Sequence, residues 1–562
     1  MKITGAEIIV RTLIEQGVTD VFGYPGGQII NVYDALYNHR DEINHVLTAH
    51  EQGAAHAADG YSRATGKVGV CIATSGPGAT NLVTGIATAM LDSVPLVAIT
   101  GNVPCSLIGK DSFQEIDITG ITLPITKHNY FVNDINELAD VIREAFAIAK
   151  SGRPGPVLID VPKDVQAGLC EWEPAAVTEK FPLRKAKDSE IDEAVSIINA
   201  AKRPYIYIGG GAAGLGMGEE ILALAEKIDA CIGCTFMGLS AIPDGHPRFL
   251  GMQGMHGHYA SSMAQNEADL IIGVGVRFSD RATGNVKKYA KNSKIIQLDP
   301  DFSEINKNIT VDCGIIGDVE DSFRRIAAAV DKKSVPEWNS RVEELKADEA
   351  RFESEIAAAS TSALPPKTVF DVINARKPAG TVIVTDVGQH QMWTAQYIKF
   401  DRTRRFVSSG GLGTMGFGLG AAIGARVATG DTTVLITGDG SFGMNLNELA
   451  TAVSHRIPLV VVIMNNSVLG MVRQWQTLFF GKRYSNTVLS DRKTDFVKLA
   501  EAFGAVGYRV TTPAELDEAF TKAIAIDGPV VIDAVIEKDE FVLPMLPPGG
   551  SVDEIITKVE KE

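Results

Sequence analysis

Two short polar motifs near the end of the chain carry the residue types best suited to holding a metal ion against a phosphate. A Gly-Asp-Gly-Ser segment at 438–441 follows an apolar stretch, and an Asn-Asn pair at 465–466 follows the next one. Glycines at a strand-to-helix turn let backbone N–H groups approach a phosphate, but Asp439 would repel it unless a cation lay between them. Alone, Asp439 would be a helix cap. Paired with Asn466, it predicts the small carboxylate and amide ligand set that Mg²⁺ accepts beside a diphosphate.

A glutamate near the start of the chain and a methionine near residue 415 are further candidates for a reactive centre. Glu51 lies in a His-Glu-Gln-Gly segment at 50–53, where an apolar stretch ends and a helical period begins. A single glutamate at such a position is ordinarily a cap that interacts with the helix dipole. Met415 lies in a glycine-rich segment at 410–416, and taken alone it is equally well a core methionine. Both residues need a context before they imply chemistry.

Three blocks of alternating short apolar strands and helical periods must position these residues. The alternation predicts an α/β protein of three doubly wound parallel-sheet domains, each sheet covered by helices on both faces. The predicted domains span 1–165, 189–332 and 367–545, with linkers at 166–188 and 333–366 and a C-terminal tail at 546–562. The second linker contains a charged, helix-like stretch at 338–359.

The first and third blocks resemble each other in sequence. A segment at 86–90 in the first block matches one at 449–453 in the third, and each is followed by a proline and an apolar strand. Those strands end at Asn102 and Asn465, at the same offset. Generic strand–helix–strand patterning is the alternative explanation. A duplication predicts two similar domains that face each other across a shared site.

Composition and charge exclude several classes of protein. The 562 residues suffice for three or four domains, and 45% hydrophobic residues are normal for a globular protein. The formal charge of −16 disfavours nucleic-acid partners and anionic membrane surfaces. No apolar run reaches the roughly 18–20 residues of a spanning helix. The six cysteines lie mostly in apolar segments, so we expect a cytoplasmic protein in which Cys231 and Cys234 are buried thiols rather than a zinc or redox pair.

The paired motifs resemble the thiamine diphosphate motif, which opens with Gly-Asp-Gly and closes with Asn-Asn after one crossover. The resemblance implies that thiamine diphosphate and Mg²⁺ are cofactors. It also implies Mg²⁺ ligands at Asp439, Asn466 and the main-chain carbonyl of Val468. The implied diphosphate contacts are Gly388, Gln389, His390, Gly440 and Ser441.

The same resemblance gives Glu51 and Met415 their context. Glu51 would hydrogen-bond the aminopyrimidine ring of the cofactor and favour the tautomer that removes the thiazolium C2 proton. Met415 would hold the two rings in contact, and the carbonyl oxygen of Gly413 would accept a hydrogen bond from the exocyclic amine. Bringing that amine to C2 is a proximity effect.

The middle block has the features of a dinucleotide-binding domain. A Gly-Gly-Gly segment at 209–211 formally begins a G-x-G-x-x-G pattern after a strand, although a single match is weak. Two further strand ends carry Gly275 with Arg277, and Asp299. Glycines, an arginine and an aspartate at three strand ends suit a dinucleotide better than a purely structural domain. In thiamine diphosphate enzymes this block often binds FAD.

Several segments narrow the resemblance to the acetohydroxyacid synthase large catalytic subunits and together span nearly the whole chain. They lie at 50–53, 113–115, 254–257, 277–281, 471–476 and 543–550. One departure is Ser279, where the family usually has a second aspartate. The resemblance implies that pyruvate is decarboxylated and its hydroxyethyl group is joined to a second 2-oxo acid, pyruvate or 2-oxobutyrate. This reaction is the first step of branched-chain amino-acid biosynthesis.

The resemblance also assigns the substrate and flavin contacts. Arg281 would bind the carboxylate of the second 2-oxo acid, and Trp475 would line the pocket for its ethyl group. Phe113, Gln114 and Lys163 would help to position that substrate. The implied FAD contacts are Gly209, Gly210, Gly211, Thr235, Met255, Gly275, Arg277, Asp299 and Asp318.

Other functions remain open at this stage. A flavin-dependent pyruvate oxidase would use the same cofactors, a catabolic acetolactate synthase would lack the flavin, and a non-catalytic scaffold would keep only the fold. The family places the two halves of each site on different chains, which implies a homodimer or homotetramer. A small regulatory subunit is a further partner that the family allows.

Overall fold

Short apolar stretches bounded by glycine, proline or polar residues form the strands of three six-stranded parallel sheets, as the alternating pattern predicts. The computed structural model describes residues 1–559. The strands are β1 Lys2–Thr4, β2 Asp20–Tyr24, β3 Asn44–Leu47, β4 Gly69–Ala73, β5 Leu96–Asn102, β6 His128–Phe131, β7 Pro156–Pro162, β8 Leu169–Glu171, β9 Pro204–Ile208, β10 Cys231–Cys234, β11 Phe249–Met252, β12 Leu270–Val274, β13 Lys294–Asp299, β14 Cys313–Ile316, β15 Val382–Thr385, β16 Phe406–Val407, β17 Thr433–Gly438, β18 Val460–Asn465, β19 Val506–Val510 and β20 Val530–Val535.

Helices cover the faces of these sheets. They are α1 Gly5–Glu15, α2 Ile30–Asn38, α3 Glu51–Thr65, α4 Pro77–Asn81, α5 Val83–Asp92, α6 Ile118–Thr122, α7 Leu138–Lys150, α8 Lys163–Ala167, α9 Asp188–Ala200, α10 Gly210–Leu215, α11 Gly218–Ile228, α12 Tyr259–Glu267, α13 Asp280–Thr283, α14 Val319–Ala329, α15 Pro336–Ala359, α16 Pro366–Arg376, α17 Gln389–Tyr397, α18 Gly418–Thr429, α19 Asp439–Asn445, α20 Glu448–Ser454, α21 Gly470–Phe479, α22 Phe496–Phe503 and α23 Pro513–Ala523. Single-turn 3-10 helices lie at Cys105–Leu107, Leu123–Ile125, Ile135–Glu137, Phe236–Gly238, Phe302–Glu304, Ser490–Arg492 and Val552–Glu554.

The first and third sheets have the same topology, which confirms the predicted likeness of the two blocks. Their strand orders are β3-β2-β4-β5-β7-β6 and β16-β15-β17-β18-β20-β19, and these are identical once the strands are counted within each block. The equivalent asparagines also have equivalent partners. The Asn102 side chain donates to Asp160 Oδ2 over 2.6 Å, and the Asn465 side chain donates to Asp533 Oδ1 over 2.8 Å.

The middle sheet has a different strand order, β11-β10-β9-β12-β13-β14. Counted within its block, this is the 3-2-1-4-5-6 arrangement of doubly wound dinucleotide-binding folds. The order reverses between β9 and β12, so a crevice opens there at the carboxyl ends of the strands. Cys231 and Cys234 are buried, free thiols of β10, as predicted.

Both linkers contain regular structure. In the first, β8 pairs antiparallel with β1 at the start of the chain, a contact that the sequence pattern did not indicate. The second is mostly α15, in agreement with the predicted helical stretch. No helix within residues 1–559 is long and apolar enough to cross a membrane. The predicted tail at 546–562 is described as far as residue 559, and its last three residues lie outside the described part.

Small residues let the first and third domains pack closely through two equivalent helices, α3 and α18. A Cβ atom at Gly60 would collide with the carbonyl oxygen of Ala421, and one at Gly424 would collide with that of Ala57. Each of these helices follows the second strand, in chain order, of its six-stranded sheet. The contact fixes the position of Glu51, the first residue of α3, relative to the loop that precedes α18.

We expect Gly424→Ala to lower the free energy of unfolding by about 1–3 kcal/mol, because the added methyl group overpacks a backbone contact. Calorimetric unfolding of the purified protein measures the effect. The matched control is Gly214→Ala in α10, where a Cβ atom meets no other atom within 4 Å. That control should be neutral or slightly stabilising. Equal unfolding temperatures for the two variants would contradict this account of the α3–α18 contact.

Candidate active site

The predicted metal ligands meet at the carboxyl edge of the third sheet. Asp439 begins α19 directly after β17, and Asn466 follows the neighbouring strand β18. The Asp439 carboxylate accepts backbone hydrogen bonds from Gly440 and Asn466. Burial raises the pKa of Asp439 to about 6, and these hydrogen bonds offset only part of that effect. Within residues 1–559 no ion pair joins Asp439 to a cationic side chain, and such a buried carboxylate suits a bound cation, because a cation would compensate its charge.

The other proposed ligands lie beside Asp439. The Asn466 side chain donates to Gln389 Oε1 over 3.3 Å and accepts from the backbone N–H of Val468 over 3.3 Å. Val468 is buried and follows Ser467, whose φ of +56° marks a tight turn. The amide of Asn466 and the main chain of Val468 therefore belong to the same turn, next to the carboxylate.

Three of the predicted diphosphate contacts follow β15, the strand that pairs with β17 on the other side from β18. Gly388, Gln389 and His390 form the start of α17, after β15. His390 is buried, and within residues 1–559 its Nε2 atom has no hydrogen-bond partner. Its Nδ1 atom faces Gly438, where it would lie 2.9 Å from a Cβ atom if one were added. Burial lowers the pKa of His390 to about 3, so the ring is neutral. An unpartnered buried nitrogen beside a helix N-terminus suits a phosphate ligand.

The loop at 408–416 places Met415 against this group. The Met415 methyl group lies 3.9 Å from where a Cβ atom on Gly440 would be. The backbone N–H of Gly416 donates to Asp386 Oδ1 over 2.8 Å, and Ser441 Oγ donates to the same oxygen over 3.1 Å. Gly413 has a φ of +69°, which glycine adopts without strain. The structure thus joins the methionine loop and the Gly-Asp-Gly motif in one site.

Glu51 forms a second group at the carboxyl edge of the first sheet. Its Oε2 accepts from the Asn81 side chain over 2.9 Å. Its Oε1 faces Gly78, where it would lie 3.2 Å from a Cβ atom if one were added. The main chain of Gln114, with a φ of +63°, packs against Gly76 at the same edge. Within the described residues, no hydrogen bond joins Glu51 to Asp439, Asn466 or Met415. Glu51 thus belongs to the first sheet, and the Asp439 group belongs to the third.

The predicted substrate residues come from all three domains. The Arg281 guanidinium lies over the Trp475 ring, 6.0 Å from its centroid, and its side chain is 65% exposed. The carbonyl oxygen of Arg281 accepts from the N–H of Met255 over 2.8 Å. Lys163 begins α8 after β7, and Phe113 is 84% exposed. An exposed cation beside an aromatic ring can bind a carboxylate that carries an alkyl group.

The C-terminal tail closes over the Arg281 segment. The N–H of Leu546 donates to the carbonyl oxygen of Met255 over 2.7 Å, and the N–H of Asn285 donates to that of Gly550 over 3.0 Å. The tail is therefore part of the site's wall, which its place in the sequence does not show.

The predicted flavin residues line the crevice of the middle sheet. Gly209 and Gly211 follow β9 and interlock with Gly275, which follows β12, so closely that a Cβ atom at Gly209 would collide with the carbonyl oxygen of Gly275. Asp299 ends β13, where burial raises its pKa to about 6. Asp318 accepts from the N–H of Asp321 at the start of α14. In a dinucleotide site, the glycines let the main chain approach the phosphate groups, and the carboxylates accept hydrogen bonds from hydroxyl groups.

The remaining flavin candidates are held by other parts of the protein. Arg277 Nη1 donates to the carbonyl oxygen of Leu91 over 2.8 Å, which joins the middle domain to the first. Thr235 accepts from the N–H of Gly238 over 3.0 Å. Gly210 begins α10, and a Cβ atom there would lie 3.1 Å from that of Met237.

Sequence reasoning missed two residues that organise these groups, Asp386 and Asn81. Asp386 is 1% exposed and accepts hydrogen bonds from Gly416 and Ser441, and burial raises its pKa to about 6. It follows the apolar strand β15 directly, so the rule that singled out Asp439 could also have found it. Asn81 gave no such signal, because it lies within a helix and meets Glu51 only in the folded chain.

Family models match the three sheets separately. The N-terminal TPP binding domain of thiamine pyrophosphate enzymes matches residues 3–121, the central domain matches 191–326, and the C-terminal TPP binding domain matches 386–534. The two predicted halves of the thiamine site lie within the first and last of these ranges.

Curated relatives match the chain over nearly its full length. A probable acetolactate synthase large subunit of Methanocaldococcus jannaschii is 46% identical over 99% of this chain and 96% of its own length. The acetolactate synthase isozyme 2 large subunit of Escherichia coli is 45% identical, over 99% of this chain and all of its own length (100%). An acetolactate synthase large subunit of Corynebacterium glutamicum is 44% identical over 99% of this chain and 90% of its own.

Proposed function

Because the chain belongs to the thiamine pyrophosphate enzymes, and among them to the acetolactate synthase large subunits, we propose how its residues carry out that reaction. The enzyme decarboxylates pyruvate and joins the remaining two-carbon unit to a second 2-oxo acid. We assign proton transfer to Glu51, metal binding to Asp439, Asn466 and Val468, and acceptor binding to Arg281 and Trp475. The observation that carries the acceptor assignment is the approach of Arg281 to Trp475 at 6.0 Å.

When bound, thiamine diphosphate supplies a nucleophilic carbon and takes up the electrons released with CO₂. The protein's own part begins at Glu51, whose carboxyl group holds the proton shared with a nitrogen of the aminopyrimidine ring. Met415 and the carbonyl oxygen of Gly413 would orient that ring. Mg²⁺ held by the Asp439 group would compensate the diphosphate charge, with His390 and the start of α17 as further contacts.

The acceptor must be recognised while the surface as a whole is anionic. The net charge of −16 repels 2-oxo acids, so their attraction has to be local. Arg281 and Lys163 are the cations that we assign to this role, with Gln114 and Phe113 completing the pocket. The partly exposed Arg281 can form two hydrogen bonds to a carboxylate, while the Trp475 ring contacts the alkyl group.

A flavin in the middle domain completes the proposed cofactor set. The crevice between β9 and β12, its interlocked glycines and its acidic acceptors support FAD in preference to an empty structural domain. A pyruvate oxidase would use that flavin as its electron acceptor. It has no second 2-oxo acid to hold, so Arg281 and Trp475 favour the synthase.

Assay of acetolactate formed from pyruvate by the cofactor-depleted protein tests the cofactor assignment. Omission of thiamine diphosphate, Mg²⁺ or FAD, one at a time, should each lower the rate, and complete addition should restore it. Full activity without FAD would overturn the flavin assignment and support a flavin-free synthase.

We also propose an assembly of at least two chains in the cytoplasm. The family resemblance, which places the two halves of each site on different chains, supports sites built from two copies. The relatives' description as large subunits supports a small regulatory partner. The free, mostly buried cysteines suit a reducing compartment. Sedimentation should show a dimer or tetramer, and an active monomer would contradict the shared site.

We expect Trp475→Leu to reduce the preference for 2-oxobutyrate over pyruvate by about tenfold, because one methylene contact is worth roughly 1–3 kcal/mol. The ratio of the two products from mixed substrates measures this preference. Phe480→Leu is the control, because Phe480 is a nearby exposed aromatic residue at the end of α21. A product ratio for Trp475→Leu equal to that of the control would remove Trp475 from the acceptor pocket.

A further inference from the structure

We infer that Asp92, a buried carboxylate of the first domain, is a positioning residue for the loop at 408–416 in the third domain. This inference rests on the proposed function, because that loop carries Gly413 and Met415. Asp92 is the last residue of α5, and its side chain is 0% exposed. Nothing in its local sequence indicates a role in a site more than 300 residues away.

Asp92 binds the loop through two backbone amides. Its Oδ2 accepts from the N–H of Gly410 over 2.9 Å, and its Oδ1 accepts from the N–H of Gly411 over 2.7 Å. Charge-assisted hydrogen bonds of this kind are stronger than neutral ones. A Cβ atom at Gly411 would lie 2.8 Å from the same carboxylate oxygen. The pair of glycines therefore lets the loop backbone approach the carboxylate directly.

Arg63 holds both Asp92 and the loop. Its Nη2 lies 3.0 Å from Asp92 Oδ2, and its Nη1 donates to the carbonyl oxygen of Ser408 over 2.8 Å. Arg63 also pairs with Asp59 one turn earlier in α3, and its side chain is only 7% exposed. A buried ion cluster with every member hydrogen-bonded is strongly disturbed when one partner is removed. Arg63 thus fixes the direction of the Asp92 carboxylate and joins it to the main chain of the loop.

The far end of the loop has its own anchors. Thr414 Oγ1 lies 2.7 Å from Thr88 Oγ1, also on α5, and the N–H of Gly416 donates to Asp386. Gly413 lies between the Asp92 contacts at 410–411 and these anchors, and an added Cβ atom there would meet nothing within 4 Å. The loop is therefore held on both sides of an open tip. The Asp92 contacts thus determine the direction in which the Gly413 carbonyl oxygen points.

The end of α5 is also where the three domains meet. The carbonyl oxygen of Leu91, the residue before Asp92, accepts from Arg277 of the middle domain over 2.8 Å. Asp92 itself holds the third domain. One helix end thus links the proposed flavin residue Arg277 to the loop that carries Met415. Removal of the Asp92 charge should loosen the loop without touching any group that contacts substrate.

Amide hydrogen exchange of the cofactor-free protein tests the inference without relying on activity. In Asp92→Asn, the segment at 408–416 should exchange at least about tenfold faster than in the wild type, because two amides lose a charged acceptor. Exchange elsewhere should be unchanged. The control is Asp140→Asn, which alters an aspartate with an 83% exposed side chain on α7. Unchanged exchange at 408–416, or an equal increase throughout the chain, would overturn the positioning role.

Measurements of thiamine diphosphate binding and of turnover provide a second test of the inference. A displacement of about 1 Å can cost about 100-fold in rate, so Asp92→Asn should lower kcat strongly while leaving KM for pyruvate near the wild-type value. Wild-type cofactor affinity and kcat in this variant would overturn the inference. If the wild type bound no thiamine diphosphate, the proposed function would fail, and hydrogen exchange would still decide whether Asp92 holds the loop.

Thr88→Val keeps the test decisive if Asp92→Asn does not fold. This change preserves the side-chain shape and removes the Thr88 hydroxyl, which contacts Thr414 Oγ1 and also donates to the carbonyl oxygen of Thr84 within α5. We expect faster exchange at 408–416 and a smaller loss of kcat than in Asp92→Asn. Wild-type exchange and kcat in Thr88→Val would contradict an anchoring role for α5.

Discussion

Replacing Glu51 with glutamine is expected to lower kcat for acetolactate formation by about 10²–10⁴-fold, the usual contribution of a positioned proton-transfer group. The amide keeps the hydrogen-bonding shape but cannot share a proton with the aminopyrimidine ring. Exchange of the C2 proton of bound thiamine diphosphate should slow by a similar factor. Rapid-quench NMR of the cofactor measures that exchange independently of the later carboligation.

The fold should survive this change, because Glu51 is half-buried and the side-chain hydrogen bond that it forms within residues 1–559 is the one to Asn81. The matched control is Glu190→Gln, which alters a glutamate of the first turn of α9 in the middle domain. Full activity of Glu51→Gln would remove Glu51 from proton transfer. Loss of activity together with the circular dichroism spectrum of an unfolded protein would indicate a structural role for Glu51. A slow C2 exchange rate in a folded variant would indicate a role in proton transfer.

The second large effect is expected from Asp439→Asn. Loss of the carboxylate charge should raise the Mg²⁺ concentration needed for half-maximal activity by at least about 100-fold, since even residues outside the direct ligands cost 10–100-fold at metal sites. Titration of the cofactor-depleted enzyme with Mg²⁺ at saturating thiamine diphosphate measures the shift. Asp371→Asn, which changes an exposed aspartate paired with Lys367, is the control.

Thermal unfolding separates metal binding from stability. Without Mg²⁺ the variant should be as stable as the wild type or more stable, because burial of the uncompensated Asp439 carboxylate is unfavourable, as its pKa of about 6 indicates. With Mg²⁺ and thiamine diphosphate, only the wild type should gain stability from the bound ligands. An equal gain in Asp439→Asn would show that the metal binds elsewhere.

The sequence predicted the fold well wherever one local rule was sufficient. Strand ends marked by glycine and a polar residue located Asp439 and Asn466, and the duplicated pattern anticipated the identical order of the first and third sheets. These features depend on residues close together in the chain, so periodicity and turn chemistry reveal them.

Residues whose partners are distant were not predictable in this way. Asp92 of the first domain meets Gly410 and Gly411 of the third, and Asn81 meets Glu51 only after α3 and α4 pack. The pairing of β1 with β8 is equally non-local. From its local sequence, Glu51 would be interpreted as an ordinary helix cap. Only the family resemblance indicated a catalytic role for it. The positioning contacts of the site are tertiary, while its ligands are local.

The most direct measurement of the central claim is the fate of carbon-13-labelled pyruvate under anaerobic conditions, followed by NMR together with the flavin absorbance. The complete enzyme with thiamine diphosphate, Mg²⁺ and FAD should convert two molecules of pyruvate into one of acetolactate and one of CO₂, with the flavin still oxidised afterwards. Acetate formed in proportion to flavin bleaching would identify an oxidase instead and contradict the assignment of Arg281 and Trp475 to a second 2-oxo acid.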